Sequence, residues 1–240
     1  LTYLNLEGNR LSSIDIRSNT LLEHVNLGRT SFDSTDTRPT KTIRNQLAEI
    51  DLTENIYLTY INLNSNKLSH IDVSDVRRLT HLDLSWNGLV NIELPRSNFD
   101  SNTLAALEYL DLGGNSLFEI DLTGQIHLLH LNLTQNNLNH IELSTQTQLT
   151  FLSVSYNNFN HINLSAQSIL ESLFLYNNDF GDIDLSAQAQ LIHLDIRENN
   201  LSSIDLASDA VTYLDIRENP LFNETKFYLD NQNIETLLYS

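Results

Sequence analysis

The chain has 240 residues, 40% of them hydrophobic, with 31 acids against 13 bases, a formal charge of −18 and no cysteine. That length and apolar share suffice for a buried core, while the charge disfavours nucleic acid and anionic membrane surfaces and leaves a basic protein, a divalent cation or a neutral glycan as compatible partners. The absence of cysteine excludes disulfides, thiolate metal sites and a Cys nucleophile, and no apolar run approaches the roughly 18 residues of a spanning helix.

The chain opens in mid-pattern on Leu1 with "LTYLNLEGNRLSSIDI" and no visible signal peptide, so the segment is expected to be part of a longer polypeptide. The same string returns at 79, 107, 128, 149, 170 and 191, mostly at a step of 21 residues, and partial copies from Leu22, Leu58 and Val211 bring the number of coils to ten. Two coils are stretched, by inserts at about 33–47 and 96–106 that are rich in turn formers and polar residues, as loops leaving a regular scaffold are. Each unit is itself two similar halves with an alternating apolar triplet in each, such as Leu194 and Ile196, then Ile204 and Leu206. That period predicts two short strands per coil with one edge turned inward. The fold expected over residues 1–222 is therefore a β-rich solenoid without long helices. Residues 223–240 depart from the repeat, and Phe227, Leu229, Ile234, Leu237 and Leu238 are expected to cover the last coil as a cap or to link to further sequence.

One column of the repeat is almost invariant: Asn9, Asn66, Asn87, Asn115, Asn136, Asn157, Asn178, Asn199 and Asn219, with Thr30 the exception. An amide both donates and accepts, so an inward Asn can satisfy backbone groups exposed where the strand bends away. The column reads as a structural ladder rather than as nine ligand sites.

The string LxxLxLxxNxLxxIDL resembles the leucine-rich repeat, and its 21-residue step with nested halves is similar to the bacterial class called IRREKO, a relative of internalin-type repeats. The resemblance implies a parallel sheet on a concave face and short strands or turns on a convex one. It also implies a protein-interaction role on a bacterial surface or in its secretions. The LPxLP pattern of secreted ubiquitin-ligase effectors is absent.

Function in such a repeat is read from the columns that face outward. Ahead of each first strand run Tyr3, His24, Tyr60, His81, Tyr109, His130, Phe151, Ser172, His193 and Tyr213, nine of ten of them aromatic or imidazole. Two readings stand: a ladder of rings that stabilises adjacent coils, or a platform for a protein or sugar. The expected contact cluster is Phe151, Tyr156, Phe174 and Tyr176, ringed by Ser153, Ser155, Ser172 and Asn177, because Phe174 and Tyr176 replace residues that are otherwise small or polar. Trp86, Tyr109, His130 and the loop 33–47 are further candidates.

The acids Asp15, Asp51, Asp72, Glu93, Asp121, Glu142, Asp184 and Asp205, with Asn163, form a second outward column whose mutual repulsion needs an offset. Flanking Ser and Thr, salt, or Ca²⁺ between coils could each supply it. His140 and His161, near Glu142, are a weak metal candidate, and no resident metal or other cofactor is expected. Sequons occur at Asn132, Asn163, Asn200 and Asn223, the NLT and NLS spellings among them arising from the repeat itself, and the twin "DIREN" stretches read as surface ion pairs. No GxSxG, HExxH or phosphate-cradling loop occurs, so no catalytic residue is assigned. The function expected is a non-catalytic adhesive binding module, extracellular or on the cell surface. The alternative is a rigid spacer or scaffold segment of a longer surface protein.

Overall fold

The computed structural model describes residues 1–29, 44–95, 107–206, 210–223, 225 and 234–239. The expectations placed on Thr30, on 33–43 and 96–106 of the inserts, and on Phe227 and Leu229 lie outside these residues. The chain divides into two compact units, Leu1–Ser116 and Leu117–Ser240. It is a parallel β-solenoid of eleven three-residue strands, with no long helix among the described residues and none long and apolar enough to cross a membrane.

In the first unit, strands β1 (Tyr3–Asn5), β2 (His24–Asn26), β3 (Tyr60–Asn62), β4 (His81–Asp83) and β5 (Tyr109–Asp111) pair in parallel in chain order. Tyr3 lies opposite His24, His24 opposite Tyr60, Tyr60 opposite His81 and His81 opposite Tyr109. The β2 to β3 step is 36 residues and the β4 to β5 step 28, yet the register is kept. The strands on either side of each insert therefore stay in register.

In the second unit, β6 (His130–Asn132), β7 (Phe151–Ser153), β8 (Ser172–Phe174), β9 (His193–Asp195) and β10 (Tyr213–Asp215) follow the same rule, and β11 (Thr236–Leu238) comes from the tail. It pairs in register with β10, and the Ile216 amide donates to the Leu238 carbonyl at 2.8 Å.

Each strand is short because its middle residue points into the core while the residue after it ends the strand. The third strand side chain accepts from the amide two positions on, as Asn5 does from Glu7, Asn62 from Asn64, Asp83 from Ser85 and Asn132 from Thr134, at 3.0 Å each. The backbone then enters the left-handed region at Ser65, Trp86, Gln135, Tyr156, Asn177, Glu198 and Glu218, with φ between 52° and 57°. Leucines fill the interior of both units, joined in the second by Phe159 and Phe180, both fully buried.

The Asn column lies just past that turn. Asn87 Nδ2 donates to the carbonyls of Leu63 in the preceding coil and Leu84 in its own, and its Oδ1 accepts from the Leu68 amide. Asn157, Asn178, Asn199 and Asn219 repeat the geometry. In the coil where the sequence shows Thr30, the place is taken by Asn45, whose amide reaches the Leu6 and Leu27 carbonyls and accepts from Asn9 and Leu11. The coil thus resumes at Asn45, two residues before Leu47, which is fully buried. Those residues belong to the scaffold rather than to the insert.

The second half of each coil differs from the expected strand. Among the described residues only an isolated bridge between Asp72 and Glu93 forms there. The backbone makes paired turns within one coil, such as Gln167 N to Leu164 O and Leu170 N to Gln167 O, in place of a ladder between coils. In the second unit this corner carries a second amide column that the sequence reading did not single out. Gln125, Gln146, Gln167 and Gln188 are buried, and Gln146, Gln167 and Gln188 donate to main-chain carbonyls of the preceding coil.

Candidate functional site

The first residues of the strands stack ring on ring. In the first unit Tyr3, His24, Tyr60, His81 and Tyr109 form an unbroken column with centroids 4.1–4.3 Å apart and planes within 15°. Burial holds the imidazoles of His24 and His81 below the ordinary histidine range and pushes the hydroxyls of Tyr60 and Tyr109 up. Stacking at van der Waals distance occupies the faces of these rings, so an approaching ligand meets their edges.

The second unit has the same column with one gap. His130 stacks on Phe151 at 4.1 Å and His193 on Tyr213 at 4.1 Å, but Ser172 between them has no ring. Phe174, which belongs to the neighbouring column, leans into that space and meets Phe151 at 5.3 Å and His193 at 4.8 Å, tilted by 39° and 38°. The aromatic substitution at 174 is therefore matched to the missing ring at 172.

Tyr176 is half-buried, two residues past β8. It meets Tyr156 edge to face at 5.1 Å, and the Arg197 guanidinium lies 4.5 Å from its centroid. Trp86 and Tyr156, read above with the strand face, sit instead in the left-handed turn just beyond the strands, at φ 56° and 52°. Both are exposed. Ser153 and Ser155 beneath this cluster are buried. Arg197 was not part of the expected cluster; its spacing of 21 residues from Tyr176 was the available signal.

Of the "DIREN" acids, exposed Glu198 pairs with Arg197 at 3.9 Å as a surface ion pair, but the two aspartates do not lie at the surface. Asp195 and Asp215 are buried at the ends of β9 and β10, where Arg197 and Arg217 lie against them. Arg217 holds Asp215 through two bonds, at 2.6 and 2.9 Å, and Arg197 adds a third at 3.2 Å. Burial alone would raise Asp215, yet the Arg217 hydrogen bonds and charge keep it below the usual carboxylate range. Asp195 has the Arg197 guanidinium at 3.7 Å and the Arg197 amide at 3.4 Å, and burial pushes it up to about 6.

On the opposite side of the coils, Asp15, Asp51, Asp72, Asp121, Glu142 and Asp184 are each answered within their own coil. Asp51 and Asp72 accept from the amide and hydroxyl of Thr53 and Ser74 respectively, and Asp121, Glu142 and Asp184 accept from the amides of Thr123, Ser144 and Ser186. These bonds hold Asp51, Asp72, Glu142 and Asp184 below the ordinary range, and Arg17 lowers Asp15 to about 2. His140, His161 and Glu142 are exposed. Among the described residues no group of three or more His, Asp or Glu is placed to hold a metal ion.

The fold is that of leucine-rich-repeat proteins. The chain is similar to the functional domain of internalin InlJ from Listeria monocytogenes, with a TM-score of 0.78 and 28% identity over 93% of this chain and 45% of that one. A leucine-rich-repeat protein of Leptospira interrogans gives 0.75 at 19% identity, over 99% of this chain and 66% of that one. The internalin InlF of Listeria monocytogenes gives 0.61 at 22% identity, over 100% and 80%. The chain thus spans less than half of the InlJ domain it matches. No family model and no curated protein matches the sequence.

Proposed function

We propose that the chain is a non-catalytic protein-binding module of a bacterial surface or secreted protein, built from the 21-residue nested repeat of the IRREKO class, and that it meets its partner on the strand face. The likeness to internalins supports the setting, and the constant repeat step supports the class. The observation that carries the reading is the cluster of exposed Tyr156 with half-buried Tyr176 and Arg197, the residue types that dominate interface energetics, beside Phe151 and Phe174 where the ring column is interrupted at Ser172. A protein partner is favoured over a glycan because sugars pack on open ring faces, and the faces of the ladder are occupied by neighbouring rings. The charge of −18 argues against nucleic acid. A rigid spacer is the second reading, favoured by the uniformity of the Asn and ring columns.

The test is Tyr156→Ala combined with Tyr176→Ala, which spares the ladder. Labelled protein is applied to arrays of extracellular-matrix proteins, of host surface proteins and of glycans. Binding to a protein spot that falls at least tenfold in the folded double variant is expected. Signal confined to glycans, or protein binding indifferent to the two tyrosines, would contradict the reading.

A further inference from the structure

In the first unit one large ring stays exposed. Trp86, the single tryptophan of the chain, is 57% exposed and sits at φ 56°, a conformation that glycine adopts freely and a bulky side chain rarely does. Its indole lies flat on Gly114, where a Cβ would come within 2.7 Å of Cδ2 and 2.8 Å of Cε3. The missing side chain at 114 is what allows the ring to lie there. Gly114 thus backs the indole, and the residue as a whole stays more than half exposed. The same turn recurs at Ser65, Gln135, Tyr156, Asn177, Glu198 and Glu218, so the conformation belongs to the repeat; what sets Trp86 apart is a large ring left in solvent, which points to a contact outside the fold.

The surroundings define the chemistry of that contact. Among the described outward positions of the five strands and the residues that end them, the first unit carries Glu7, Asp83 and Asp111 and neither Lys nor Arg. Asp83 stands three residues before Trp86 and Asp111 three before Gly114. Asp83 is buried, held by the neutral donors Ser85 and Asn64 and near the His81 imidazole, while Glu7 and Asp111 are only partly buried. In the turn column the base is Arg29, two coils away. An exposed indole beside a strand face that carries acids and neither Lys nor Arg, on a chain of charge −18, is complementary to a cation, and tryptophan is the strongest aromatic partner for one.

We propose that Trp86, seated on Gly114, is the docking point for an arginine or lysine side chain of a basic protein partner. This rests on the reading of the strand face as a protein-binding surface and adds the chemistry of the partner.

The test uses a hexa-arginine peptide, the same peptide with citrulline in place of arginine, and a neutral hexasaccharide at low ionic strength. Trp86 emission and titration calorimetry are the readouts. The arginine peptide is expected to bind saturably with a change in emission, and salt should weaken it. Trp86→Gly and Trp86→Asn, both compatible with the left-handed turn, are expected to raise its Kd about tenfold, as is Gly114→Ala, which displaces the indole. Tyr156→Ala with Tyr176→Ala should leave this Kd within about twofold, so failure here and failure of the strand-face reading are told apart. No binding, equal binding of the citrulline peptide or the saccharide, or a Kd unchanged in Trp86→Gly and Trp86→Asn would overturn the proposal.

Discussion

Replacing Asn199 by leucine, which has nearly the same shape, removes one side chain from the core and several bonds at once. Asn199 is 6% exposed; its amide donates to the carbonyls of Leu175, Ile196 and Arg197 at 3.1 Å each, and its Oδ1 accepts from the Phe180 amide at 3.1 Å. Leucine offers none of these groups a partner. At about 1 to 3 kcal/mol for each buried polar group left without one, and with relief for the partly buried Arg197 carbonyl, the loss should be about 3 to 6 kcal/mol. Asn199→Asp keeps the acceptor for Phe180 and should fall between. The neighbouring Asn200 bonds to Asp179 at an exposed site, so Asn200→Ala should stay within about 0.5 kcal/mol. Urea unfolding at neutral pH reads all three, with the slope checked for constancy. A loss below about 1 kcal/mol for Asn199→Leu, or one equal to that of Asn200→Ala, would refute the ladder's role.

Other expectations follow from the ring column and the buried acids. Phe174→Ala should cost about 1 to 3 kcal/mol through its two ring contacts, and Ser172→Phe in that background should restore most of it; no recovery in thermal melts would contradict the gap-filling role of Phe174. Asp195 faces Arg197, Asp215 and Arg217, and its folded value of about 6 lies above the ordinary 3.8. The stabilisation it contributes is therefore present below about pH 4 and lost as pH rises through 6. Asp195→Asn should gain about 1 to 3 kcal/mol at pH 7 and flatten that dependence; destabilisation at pH 7 would mean that the Arg197 ion pair outweighs burial.

The repeat was legible because stacking copies one residue type into one place at a fixed step, and the Asn and ring columns carry that step in plain view. Asn45 was hidden because the insert separates it from the pattern it completes, and only its bonds to Leu6, Leu11 and Leu27 place it in the coil. The glutamine corner lacked contrast in sequence, since glutamine usually faces water. The apolar triplets of the second halves promised strands, but Asp51, Asp72 and Asp184 bond to the amide two residues on and the backbone turns there instead. Phe174 looked like an isolated anomaly until Ser172, one register position from Phe151, was seen to lack the ring that Phe174 replaces. Backbone handedness is likewise invisible in letters, and it is what sets Trp86 and Tyr156 apart from the strand residues.

A nuclear Overhauser spectrum of the ring protons, with histidine, tyrosine and phenylalanine selectively labelled, asks directly whether residues one coil apart occupy each other's faces. Cross-peaks linking Tyr60 to His81, His81 to Tyr109, His130 to Phe151 and His193 to Tyr213, with Phe174 joined to both Phe151 and His193, are predicted by centroid separations of 4.1 to 5.3 Å. Rings that show contacts only to solvent or to residues near them in the chain would contradict the stacked column, and with it the strand face on which the proposed partner lands.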